Sequence, residues 1–96
     1  MLLDVLRHQK ADIEALVKAH GGRSLRVFGS VARGEETESS DIDMLVVFEP
    51  GYDVFAQRLS LAERLAGLTG RNIDLIPEHE LSPHLRDAVL LEARTL

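Results

Sequence analysis

Apolar and polar positions recur along this chain with two different periods, and the switches between them divide it into seven elements. From Leu2 to His20 the residues Leu2, Leu6, Ile13, Leu16 and Val17 share one face at helical spacing, and Gly21 and Gly22 follow where glycine closes a helix. The period then shortens to two. Ser24 to Phe28 (SLRVF) reads as a short strand with Leu25 and Val27 on one side, ended by Gly29, and Ser30 to Arg33 forms a short helix before a polar loop from Gly34 to Ser40. Asp41 to Phe48 (DIDMLVVF) is so continuously apolar after its charged start that it predicts a strand buried on both faces of a sheet. Beyond Glu49, Pro50 and Gly51, Asp53 caps a helix over Val54 to Thr69, its apolar stripe read as Phe55, Leu59, Ala62, Leu65, Ala66 and Leu68, with Gly70 closing it. Asn72 to Ile76 (NIDLI) is a third strand stopped by Pro77. Ser82 and Pro83 then supply an N-cap and a proline at the first helical position for a last helix through Leu85, Val89, Leu90 and Ala93.

Strands separated by helices predict an α/β (α+β) fold, a small mixed sheet of about three strands flanked by about four helices, in one domain spanning residues 1–96. At this length a folded chain buries only about two-thirds of the surface its unfolded form exposes, so a second domain does not fit. Around so few strands, some apolar helix surface is expected to remain for an interface.

Composition narrows the setting. The chain has no cysteine, which removes disulfides, thiol catalysis and thiolate metal sites and is compatible with a reducing cytoplasm. No apolar run approaches the roughly 20 residues that span a bilayer, and the charged N-terminus reads as a helix and not a signal peptide, so a cytoplasmic protein without membrane contact is expected. A formal net charge of -5 argues against direct nucleic-acid binding, which needs clustered Lys and Arg. The excess is local: Glu35, Glu36, Glu38, Asp41 and Asp43 account for all of it, and the remaining eleven acids balance eleven bases.

Within that acidic stretch lies the candidate chemistry. Side chains two apart on a strand point the same way, so Asp41 and Asp43 would stand side by side and repel unless a divalent cation with oxygen ligands, such as Mg2+, compensates. Asp74, an acid within the apolar NIDLI, could reach the same cation if its strand lies beside theirs. Upstream, Gly29 allows close backbone approach to a phosphate, the helix opening at Ser30 aims N–H groups and a hydroxyl at an anion, and Gly34 lets the chain turn away. Arg33, one helical turn on, serves either as a phosphate contact or as solvated surface. Together these parts suit a nucleoside triphosphate and magnesium held for phosphoryl or nucleotidyl transfer. Elsewhere, Glu35, Glu36 and Glu38 read as a solvated loop, and His8, His20, His79 and His84 show no metal-like spacing. Tyr52 reads as loop packing or a base-stacking cover.

The stretch VFGSVARGEETESSDIDMLVV resembles the signature of the DNA polymerase β-like nucleotidyltransferase superfamily: Gly-Ser, ten residues, then Asp-x-Asp, with Asp74 where such folds carry a third acid. Within it, the fuller pattern GSxARGxxxxxSDIDxxV is similar to the minimal nucleotidyltransferases of the MNT (MntA-like) antitoxin group. The resemblance covers about Leu25 to Ile76. It implies a minimal polymerase β-like palm in which Asp41, Asp43 and Asp74 hold two Mg2+ ions, with Asp74 also placed to accept the proton of an attacking hydroxyl. Gly29, Ser30 and Arg33 would bind the phosphates of ATP. It also implies a HEPN-domain ribonuclease toxin as partner, modified by AMP transfer to a tyrosine in a toxin-antitoxin system. Two alternatives stand beside that reading: transfer to a small-molecule or RNA hydroxyl, and a non-catalytic antitoxin that neutralises its partner by occlusion.

Overall fold

The apolar run at the middle of the chain becomes a central strand. In this computed structural model, which describes residues 1–51 and 53–96, β2 (Ile42–Phe48) pairs antiparallel with β1 (Gly22–Phe28) and parallel with β3 (Ile73–Pro77). A fourth strand, β4 (Arg94–Thr95), pairs antiparallel with β1 at Arg26 and Val27, giving the order β3-β2-β1-β4. Tyr52, the stacking or packing candidate, lies outside the described residues.

Alternation along the strands separates two faces of the sheet. Val27, Ile42, Met44, Val46 and Leu75 point into one core, where they meet Leu6, Ile13, Val17, Val31, Leu61 and Leu65 from the helices. Those helices are α1 (Leu2–His8), α2 (Lys10–Ala19), α3 (Gly29–Arg33) and α4 (Val54–Thr69). The alternate residues Arg26, Phe28, Asp43, Leu45, Asp74 and Ile76 belong to the opposite face. Even there Leu45 is buried, beneath the 3-10 turn Glu78–Glu80 that packs on β2 and the ion pair that Arg26 makes with Glu78. The reading of β2 as buried on both faces is met at its centre.

The helices depart from expectation in three places. The expected helix over Leu2 to His20 is two helices, broken at Gln9, whose backbone (φ -96°, ψ 10°) leaves the helical region while its side-chain amide donates to the Leu68 carbonyl at 3.2 Å. A contact across the fold imposes that break; no glycine or proline marks it. In α4 the buried row is Leu61 and Leu65, while Phe55 and Leu59 of the expected stripe are 72% and 52% exposed. Two apolar rows run along this helix and the sheet covers one of them. The last helix, α5 (Pro83–Glu92), starts at Ser82 and Pro83 as expected, yet none of its residues is buried and Leu85 and Leu91 face outward. The sheet has four strands instead of three because two residues need only a ladder partner and carry no periodicity of their own.

Candidate active site

Backbone geometry brings the predicted residues to the end of β1 and the starts of β2 and β3. The parallel register sets Asp43 directly opposite Asp74, and the antiparallel register sets Phe28 opposite Asp43. Gly29, the next residue, has φ +72°, and a Cβ there would collide with the Asp43 carboxyl group. Glycine is therefore required twice over, by its left-handed backbone and by the acid lying against it. Ser30 follows in the first turn of α3, and Gly34 (φ 71°) closes that helix as expected.

Asp41 stands just before β2, exposed; the Ile42 N–H donates to the Asn72 carbonyl at 2.9 Å and so carries the pairing with β3 up to its root. As the side chains stand, no three acids or histidines converge into a metal cage among the described residues, so Asp43 and Asp74 are a facing pair with Asp41 at their rim. Electrostatics nevertheless favour a cation. The Asp43 carboxyl is pushed up from 3.8 to about 6, first by burial, then by the charge of Asp74 and hydrogen bonding with it, then by Asp41 and Glu92. No ion pair among the described residues neutralises Asp41, Asp43 or Asp74. Uncompensated oxygen donors of this kind fit Mg2+.

Arg33 is held by carboxylates: its Nε donates to Glu35 at 2.6 Å and its Nη1 pairs with Glu92 of α5. Glu35 first, and then Glu92, hold its guanidinium above the ordinary arginine range. A phosphate contact from Arg33 would require it to exchange those partners. Glu92, which sequence reasoning missed, borders both Arg33 and Asp43. Nothing local in the sequence links it to the motif. Of the acidic loop, Glu35 and Glu38 are exposed as expected, but Glu36 has one carboxylate oxygen buried without a hydrogen-bond partner. His8 and His20 bond to carbonyls one turn back in their own helices and take no part.

Residues 9–96 match the nucleotidyltransferase domain family. The protein adenylyltransferase MntA of Thermococcus cleftensis is 36% identical over 89 residues, covering 84% of this chain and 89% of its own. A solved structure of a candidate minimal nucleotidyltransferase superposes with a TM-score of 0.88 at 44% identity, covering 100% of this chain and 97% of that one. A solved toxin-antitoxin complex with AMP-PNP contains a chain that superposes with a TM-score of 0.75 at 26% identity, over 90% of this chain and 70% of that one. No helix among the described residues is long and apolar enough to cross a membrane.

Proposed function

This chain belongs to the nucleotidyltransferase domain family, and from that premise we propose that it is a protein adenylyltransferase of MntA type, moving AMP from ATP to a tyrosine hydroxyl of a HEPN-domain toxin and so serving as its antitoxin. The observation that carries the reading is the facing pair Asp43 and Asp74 with the Gly29–Ser30 turn packed against Asp43. Two likenesses support it: the adenylyltransferase MntA matches most of the chain, and a toxin-antitoxin relative binds AMP-PNP.

In this reading the triphosphate lies along the Gly29–Ser30 turn, beside the Asp43 carboxyl group packed against Gly29, and Ser30 donates its hydroxyl to a phosphate oxygen. Arg33 leaves Glu35 and Glu92 for the same phosphates. Asp41, Asp43 and Asp74 would hold Mg2+, which when bound polarises the phosphoryl oxygens and offsets the charge of the leaving group. Asp74 accepts the proton of the acceptor hydroxyl. The hydroxyl oxygen then bonds to the α-phosphorus, the bond to the bridging oxygen breaks, and pyrophosphate departs with that electron pair. Because Asp43 and Asp74 share the sheet face away from the helical core, the acceptor approaches from that open side.

The test is to co-express the chain with a HEPN toxin encoded beside it, supply ATP and Mg2+, and weigh the toxin intact. A gain of AMP that disappears in Asp41→Asn and Asp43→Asn supports the proposal. Full neutralisation by those variants with no gain of mass indicates occlusion instead, and AMP found on RNA or a small molecule refutes the protein acceptor.

A further inference from the structure

Arg71 joins the loop that precedes Asp41 to the segment that precedes Asp74. It directly follows Gly70, which closes α4 at φ 74°, and its backbone N–H is tied to the helix end through Thr69 Oγ1, which in turn donates to the Leu65 carbonyl at 2.8 Å. From this anchored base the half-buried guanidinium crosses to the acidic loop. There a single nitrogen, Nη1, donates to the carbonyls of Thr37 at 2.8 Å and Ser40 at 3.2 Å. The turn it grips is closed on itself: the Ser40 N–H donates to the Thr37 carbonyl at 3.1 Å, and the Thr37 N–H donates to Ser40 Oγ at 2.8 Å. Ser40 adjoins Asp41, and Asn72, the neighbour of Arg71, accepts the Ile42 N–H. One cation therefore fastens the backbone beneath Asp41 to the backbone leading into Asp74.

The position has an electrostatic reason. Residues 35–43 concentrate five carboxylates, and their mutual repulsion favours a spread loop. A charged donor on two carbonyls opposes that spreading without neutralising any acid, which leaves the carboxylates free for a metal. Among the described residues Arg71 is also the one cation lining the open groove of about 600 Å3 formed with Glu38, Ser39, Ser40, Asp41 and Asn72.

We propose that Arg71 is a positioning residue: by holding the Thr37–Ser40 turn against the start of β3, it keeps Asp41 within reach of Asp43 and Asp74 and thereby sets the divalent-cation affinity of the site. Its metal arm rests on the adenylyltransferase reading; its structural arm does not. The test compares wild type, Arg71→Ala and Arg71→Lys by amide hydrogen exchange of the metal-free protein, by Mn2+ binding followed by electron paramagnetic resonance, and by AMP transfer across a Mg2+ titration. In Arg71→Ala, exchange over residues 37–42 speeds up and Mn2+ binds about tenfold more weakly, the scale of one lost charged hydrogen bond. Excess Mg2+ restores its turnover while the KM for ATP changes little, and Arg71→Lys falls between. Unchanged exchange over 37–42, or unchanged Mn2+ affinity, overturns the proposal. Should Arg71→Ala fail to fold, Arg71→Lys decides by the same readings. A wild type that binds Mn2+ through these residues but transfers no AMP refutes the adenylyltransferase reading and leaves the role of Arg71 standing.

Discussion

Replacing Asp43 by asparagine removes a group on which the proposed chemistry depends, and it should make the metal-free protein more stable. Burial and the charges of Asp74, Asp41 and Glu92 raise the Asp43 carboxyl from 3.8 to about 6, so the folded state holds a proton more tightly than the unfolded chain. At 1.36 kcal/mol for each tenfold change, that difference corresponds to ~3 kcal/mol against the ionised form. Solvent screening of a carboxyl that is only partly buried reduces it to ~1–2 kcal/mol. The sign follows from linkage: between pH 4 and pH 6 the folded state binds more protons than the unfolded one, so this group's contribution to stability is full below about pH 4, falls as pH rises to about 6, and stays lost at pH 7. Asparagine carries no charge and donates to Asp74 as the protonated acid does. Melting followed by circular dichroism in EDTA at pH 7 should therefore place Asp43→Asn above wild type by about 4–16 °C, given roughly 4–8 °C per kcal/mol for a domain of this size. The gap should narrow toward pH 4, and saturating Mg2+ should raise wild type but not the variant. A variant that melts at or below wild type at pH 7, or a gap that widens on acidification, refutes the reasoning.

Three further outcomes follow from the same fold. Gly29→Ala puts a Cβ onto the Asp43 carboxyl at φ +72°, so urea denaturation should show a loss of at least ~1–2 kcal/mol from left-handed strain alone, and calorimetry should show nucleotide binding abolished. Asp53→Ala removes the acceptor for the Ala56 N–H at the start of α4 and should cost about 1 kcal/mol in the same denaturation assay, while AMP transfer per folded molecule stays at the wild-type level. Met44→Ala empties a fully buried position and should cost ~2–5 kcal/mol, visible as a large drop in the urea midpoint.

How far the sequence led depended on how local each cause is. Asp53 as a cap, Gly70 as a stop and the helix between them were legible because each acts within one turn of its neighbours. The Gly29–Ser30 turn and the adjacency of Asp43 and Asp74 were legible because strand alternation and a short parallel crossover leave few other arrangements. What escaped is set by contacts distant in sequence. Gln9 breaks a helix by reaching Leu68, α4 chooses between two apolar rows according to what the sheet covers, and β4 exists only because β1 has an open edge. Glu92 and Arg71 belong to the same class, since each meets the motif through partners many residues away.

Core and site are built on the same strands, which ties catalytic geometry to packing. Met44 and Leu75 are opposite each other in the β2–β3 ladder and point into the core; Asp43 and Asp74, one residue earlier on each strand, are opposite each other and point away from it. A slip of β3 by one residue would take Asp74 from the outer face into apolar surroundings and bring an apolar neighbour out in its place. The burial of Met44 and Leu75 thus fixes the register, and the register fixes the distance between the two carboxylates. Burial of Met44 and Leu75 on the inner face and of Leu45 on the outer face holds that register in spite of the repulsion between the two acids. The core therefore tolerates an acidic pair that local electrostatics would push apart, and that pair is available to a cation because no basic side chain among the described residues has been built in to quench it.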